Sequence, residues 1–195
     1  MKKLLITGFE PFGNCDKNPS WMAVEALPER VGEYALKKLS LPTVFGKAGE
    51  AVLAVAKCWE PDVILCVGQA GGRDAVTPER IAVNIRDARI PDNAGNQPRG
   101  EFVASDGPAA YFSTVPVMKM AQAIRDREIP ATVSNSAGAY VCNDTLYTLL
   151  HAYAGTATRV GFIHVPNTPD LGSPSLPLET IVAALIAAVE NLDEP

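Results

Sequence analysis

The residues of this sequence best suited to making and breaking bonds are a cysteine and a histidine. Cys142 follows the small, polar run SNSAG and stands where a helix begins, because Leu146, Leu149, Leu150 and Tyr153 recur behind it at helical spacing. Unpaired N–H groups and the macrodipole put partial positive charge at a helix start. That charge is expected to lower the thiol pKa and favour thiolate, the reactive form. The same N–H groups could hold a developing oxyanion. Gly138 is expected to let the preceding turn approach closely.

The chain has two histidines. His151 lies nine residues beyond Cys142 on the same expected helix. That is about 13 Å along the axis, too far to bond the thiol. His164 ends the run RVGFIH and is the one able to meet the thiol as a base. Spacing leaves two readings of Cys142 open, nucleophile or buried thiol, since it is in phase with the apolar stripe and free cysteine is often buried. His164 is open in the same way. Spacing does not choose a carboxylate either: Glu10 stands near the same edge, Asp144 and Asp170 flank the two candidates, and Glu79 in TPER reads as a surface residue. Cys66 in VILCVG and Cys58 in VAKCWE read as core, and Cys15 as an exposed loop thiol.

These side chains need elements to position them. KKLLITGF, EYALKKLSLP, DVILCVGQ, ATVSNSAG and TRVGFIHVP read as strands, the central ones continuous apolar runs suited to burial on both faces. Helices are expected after Ser20 as cap, over FGKAGEAVLAVAKCW, from Pro116 through AQAIRDR, from Cys142 onward, and over PLETIVAALIAAVENL. RIAVNIRDARI could be a strand inside a long stretch rich in Gly, Pro, Asn and Asp, and loops of that length tend to be functional. Strands alternating with helices predict a single α/β domain over residues 1–195, a three-layer α/β/α sandwich around a largely parallel, partly mixed twisted sheet. In such a sheet GFEPFG, GQAGGR, NSAG with Cys142, and His164 all arrive at one edge, where ligands bind.

Composition removes other classes. The formal net charge of −5 and scattered basic residues argue against nucleic acid. No apolar run approaches the roughly 20 residues that span a bilayer. The basic start MKKLLITGF has an apolar run too short for a secretory signal, so a cytoplasmic protein is expected. The four cysteines show no paired spacing, and neither histidine stands at metal-ligand spacing from one, so no disulfide scaffold, metal or cofactor is expected. GQAGGR lacks the Lys-Ser/Thr of a phosphate loop, and no GxSxG elbow is present.

Over nearly its whole length the chain resembles the pyroglutamyl peptidase type I family of cysteine peptidases. LITGFEPFG with NPSW resembles the family's amino-terminal signature, GQAGGRDAVTPERIAVN its glutamate segment, IPATVSNSAGAYVCN its nucleophile segment and RVGFIHVP its histidine segment. DARIPDN and GPAAYFST also match. The resemblance implies a Cys142–His164–Glu79 triad. It also implies a pocket in which Phe9 and Phe12 cover a five-membered lactam, Gln69 bonds the lactam amide, Arg89 lies near the reacting carbonyl, and Tyr140 stands where the family often has phenylalanine. The implied activity is removal of an N-terminal pyroglutamyl residue from peptides by a homodimer or homotetramer. Two other readings stay open: a different enzyme on a similar sheet, such as a nucleoside phosphorylase, and a binding protein without turnover.

Overall fold

The computed structural model describes residues 1–13 and 15–193. The apolar runs make the centre of a six-stranded sheet. β1 (Lys2–Phe9) buries every residue from Leu4 onward, β4 (Val63–Gln69) every residue up to Gly68, and β8 (Arg159–Val165) every residue from Val160. Strands covered on both faces have no side on which polar residues gain anything. β2 (Arg30–Val31) and β3 (Tyr34–Leu41) extend one side and β5 (Thr77–Pro78) the other, in the order β2-β3-β1-β4-β8-β5. The four central strands are parallel, and β2 and β5 are antiparallel at the edges. A separate antiparallel ribbon pairs β6 (Ile81–Val83) with β7 (Ala110–Phe112).

Helices cover both faces, so the expected α/β/α layering holds. On one face α1 (Pro19–Ala26), α3 (Val117–Arg125) and α5 (Leu178–Glu190) bury Val24, Ile124, Ile181 and Leu185 against Leu4, Ile6, Leu65 and Ile163. On the other, α2 (Lys47–Trp59) and α4 (Val141–Ala152) bury Val52, Leu146 and Leu149 against Leu5, Ile64, Cys66 and Phe162. Each fully buried Leu or Ile contributes about 1.5–3 kcal/mol by leaving water. The amino ends of the strands are stitched together by Tyr34 Oη donating to Asp193 at 2.6 Å and by Arg159 and Lys2 pairing with the same carboxylate. The carboxyl ends are left to the loops.

Three expectations change. The first helix is capped by Asn18, not Ser20: the Asn18 side chain accepts from Ser20 N, and Pro19 occupies the first turn. Ser20 Oγ instead accepts from Phe9 N at 3.0 Å, which pins the end of β1. ATVS runs parallel to residues 76–80 but forms only two isolated bridges, Val76 with Ala131 and Glu79 with Ser134. The ladder breaks at Pro78, which has no N–H to donate. Cys58 is exposed, on the solvent side of α2, while Cys66 is buried and Cys15 exposed.

Candidate active site

Side chains alternate across a strand, and this puts Cys66, Gly68, Phe162 and His164 on one face, beneath α4. Gly68 pairs with His164 in the β4–β8 register. A Cβ at Gly68 would stand 2.9 Å from Cys142 Sγ and 2.8 Å from the Phe162 ring. The thiol therefore rests on the bare backbone of Gly68, on the same face of the sheet as His164. Only glycine leaves that space. Gly138, by contrast, has open space where a Cβ would be, and it serves through its φ of +78° rather than through close approach.

The helix that carries Cys142 is anchored by the residues that follow it. Asn143 is fully buried; its side chain accepts from Val83 N and donates to the carbonyls of Val83 and Ile85, as a strand residue would. Asp144 is fully buried and accepts from Gly46 N at 2.7 Å and Arg86 Nε at 2.6 Å, tying the start of α2 to the start of α4. No side chain caps α4. Its first-turn N–H groups have no carbonyl four residues back to bond.

Among the described residues, the carboxylate that meets His164 is Glu79. His164 Nδ1 donates to Glu79 Oε1 at 2.7 Å, and both side chains are buried. Arg73 Nη1 donates to the same oxygen at 2.5 Å and to Thr77 Oγ1, and Nη2 donates to Ser136 O. Burial opposes charge on Glu79, but His164, Ser134 and Arg73 outweigh it and hold its pKa below the usual carboxylate range. An ionised carboxylate only accepts, so the imidazole proton sits on Nδ1 and Nε2 is free to act as a base. The other carboxylates are occupied elsewhere: Asp144 as above, Asp170 by Lys17 at 2.8 Å, while Glu10 is exposed. His151 bonds Tyr111 Oη at 2.8 Å, away from the thiol.

Burial works against the expected thiolate. Burial pushes the Cys142 thiol up to about 12, and the Glu79 charge pushes the same way. Arg73 and the residue's own N–H only partly oppose this. Burial also lowers the His164 pKa below its ordinary value, despite the carboxylate. Desolvation thus opposes the helix terminus and favours the uncharged form of both groups. A neutral base is lost as pH falls through its depressed pKa, so kcat/KM is expected to rise through a limb below pH 6.5. It then stays level past neutrality. Thiolate ultraviolet absorbance at neutral pH should be the same for the wild type and Cys142→Ser. A thiolate signal lost in the variant would establish an ion pair instead.

Cys142 also ends a cavity of about 40 Å³ lined by Phe9, Phe12, Asn18, Thr43, Gln69 and Tyr140. Phe12 lies 6.3 Å from the Tyr140 ring, which meets Phe45 edge-on at 5.3 Å. The Tyr140 hydroxyl donates to Pro91 O at 3.0 Å, outside the cavity. Gln69 Nε2 donates to Asn167 Oδ1 at 2.7 Å, while Gln69 Oε1 is buried without a partner. Arg89 is exposed and does not line this cavity; Gln97 bonds its backbone carbonyl. Wider hollows, about 590 Å³ beside Phe45 and Arg86 and about 520 Å³ beside Arg73, are lined by neither Cys142 nor His164. Among the described residues, no group of three or more His, Cys, Asp or Glu could hold a metal ion.

Arg73, Asn143 and Asn167 escaped sequence reasoning. An arginine after a glycine loop reads as surface, and nothing in the spacing shows that it reaches Glu79.

Comparison with known proteins follows the same residues. A family model described as pyroglutamyl peptidase matches residues 2–194. The pyrrolidone-carboxylate peptidase of Staphylococcus saprophyticus is 47% identical over 199 residues, covering 98% of this chain and 93% of that protein. That of Bacillus licheniformis is 48% identical, covering 98% and 95%. The crystal structure of Bacillus amyloliquefaciens pyroglutamyl peptidase I superposes with a TM-score of 0.95 at 43% identity, covering 98% of this chain and 97% of that one. The pyrrolidone carboxyl peptidase of Thermococcus litoralis superposes at 0.93 and 40% identity, covering 98% and 93%. With match and superposition running end to end, the chain belongs to the pyroglutamyl peptidase family of cysteine peptidases.

Proposed function

We propose that this chain cleaves an N-terminal pyroglutamyl residue from peptides through a thioester on Cys142, with His164 as base and acid and Glu79 orienting it. The observation that carries this reading is a small apolar cavity holding Cys142 at its end and the free Gln69 oxygen on its wall. A pyroglutamyl end is cyclic and uncharged, so its site needs apolar walls and an acceptor for the lactam N–H rather than a carboxylate for an ammonium. Phe9, Phe12 and Tyr140 supply the walls. Gln69 Oε1 supplies the acceptor, and the Asn167 bond fixes which end of the amide faces the ring. The cavity has room for about three waters. The larger lactam displaces half-buried Phe12 outward as it binds.

His164 Nε2 takes the thiol proton as Sγ attacks the pyroglutamyl carbonyl carbon. Negative charge moves to the carbonyl oxygen, facing the uncapped first turn of α4. The imidazolium, held by Glu79, returns the proton to the departing amine as the C–N bond breaks. A water then gives its proton to His164 and adds to the thioester. The C–S bond breaks, pyroglutamate leaves and the thiol is restored. No described helix is long and apolar enough to cross a membrane.

The test is one assay with pyroglutamyl, prolyl and glutamyl amides. Rejection of the prolyl amide by about 10⁴-fold is expected, because its proline has no ring carbonyl and its ring nitrogen is a protonated amine, which would carry an unpaired charge into an apolar pocket. Comparable turnover of the prolyl amide would refute the pocket assignment.

A further inference from the structure

The hollow beside Arg73 ends on a side chain that the reaction above does not use. Arg73 spans three elements: Thr77 at the end of β5, Glu79 just beyond it, and the carbonyl of Ser136 in the turn leading to Cys142. Its side chain is 29% exposed, while Glu79 is fully buried. Thus the guanidinium closes the solvent side of a buried carboxylate and grips the nucleophile's approach turn with the same fork. Three donor contacts in fixed geometry are what arginine offers and lysine does not.

We propose that Arg73 is a positioning residue of this peptidase, which holds Glu79 in register with His164 and ties that pair to the turn bearing Cys142. The proposal rests on the triad reading. Glu79 Oε1 accepts from both Arg73 and His164, while Oε2 has no partner. Sharing one oxygen offsets part of the carboxylate's charge and weakens its pull on a second imidazole proton. The titratable groups facing His164 are Glu79 and Arg73 from residues 73–79, Cys142 from α4 and Cys66 from β4. Arg73 is the permanently positive one, so it opposes imidazolium, in keeping with its lowering effect on His164. Arg73 lines no part of the Cys142 cavity, so substrate affinity should not depend on it.

The experiment compares pH profiles of kcat and kcat/KM for Arg73→Met, Arg73→Lys, Glu79→Gln and the Arg73→Met, Glu79→Gln double variant. Arg73→Met should lower kcat about 10–100-fold, the usual effect of losing charged hydrogen bonds, with KM nearly unchanged. Its acid limb should move to higher pH, since an opposing positive charge is gone. Arg73→Lys should restore the limb but only part of kcat. In the Glu79→Gln background, Arg73→Met should add little further loss. If Glu79→Gln is inactive yet Arg73→Met leaves the acid limb in place, or the two losses multiply, this proposal fails and the triad stands. If Glu79→Gln retains full activity, the triad reading fails and takes the proposal with it. Should Arg73→Met not fold, Arg73→Lys decides: wild-type kcat there overturns the role of the fork.

Discussion

Replacing Cys142 with alanine is expected to lower kcat/KM for a pyroglutamyl amide by about 10⁵-fold or more, the scale seen when a nucleophile that acts with a base is removed. The fold should survive. The sulfur touches Gly68 and Phe162, and the helix start is held independently by Asn143 and Asp144. The lost contact costs about 1 kcal/mol. Circular dichroism should be unchanged and the melting temperature shifted by only a few degrees. Mass spectrometry of the wild type, quenched in acid during turnover, should show an adduct of one pyroglutamyl acyl group on the peptide containing Cys142. Turnover retained by the alanine variant, or an adduct on exposed Cys15 or Cys58, would remove Cys142 from the role.

Glu79→Gln is expected to cost about 10⁴-fold in kcat with little change in KM. The substitution keeps the volume of a fully buried side chain, so the loss comes from hydrogen-bond polarity. A glutamine N–H turned towards His164 would meet Nδ1 as an acceptor, which puts the ring proton on Nε2. That nitrogen would then face the thiol as a donor and could not remove its proton. The other orientation keeps an oxygen for His164 but removes the negative charge that stabilises the imidazolium. Stability carries a second signature. The folded pKa of Glu79 is depressed, so its contribution is present above 4.5 and lost as pH falls through the folded value. His164 is also depressed, so protonation of the unfolded chain costs stability as pH drops below 6.5 in both proteins. The gap in unfolding free energy between wild type and variant should therefore close as pH falls through the folded pKa of Glu79, where the side chain at this position is neutral in both. A variant as active as wild type, or a stability gap that widens in acid, would contradict the assignment.

Much of the architecture was legible in particular runs. VILCVG and VGFIH announce strands buried on both faces, because continuous apolar residues over that length have nowhere else to go. Their alternation with amphipathic segments implied a parallel sheet and one edge where Cys142 and His164 arrive. ATVS was harder, since a strand made of bridges on either side of Pro78 depends on which neighbour it lies against. Cys58 was misjudged as core because its helix has apolar residues on both sides of it, and the rotation that exposes it comes from packing on α4 and β3. The edge on which the chemistry gathers thus follows from local pattern. Which carboxylate meets the histidine, what grips that carboxylate and whether the thiol carries charge do not: Glu79 lies 85 residues from His164 and Arg73 lies 63 from Ser136, so only the folded chain brings them together, and the charge state depends on how much water that packing excludes.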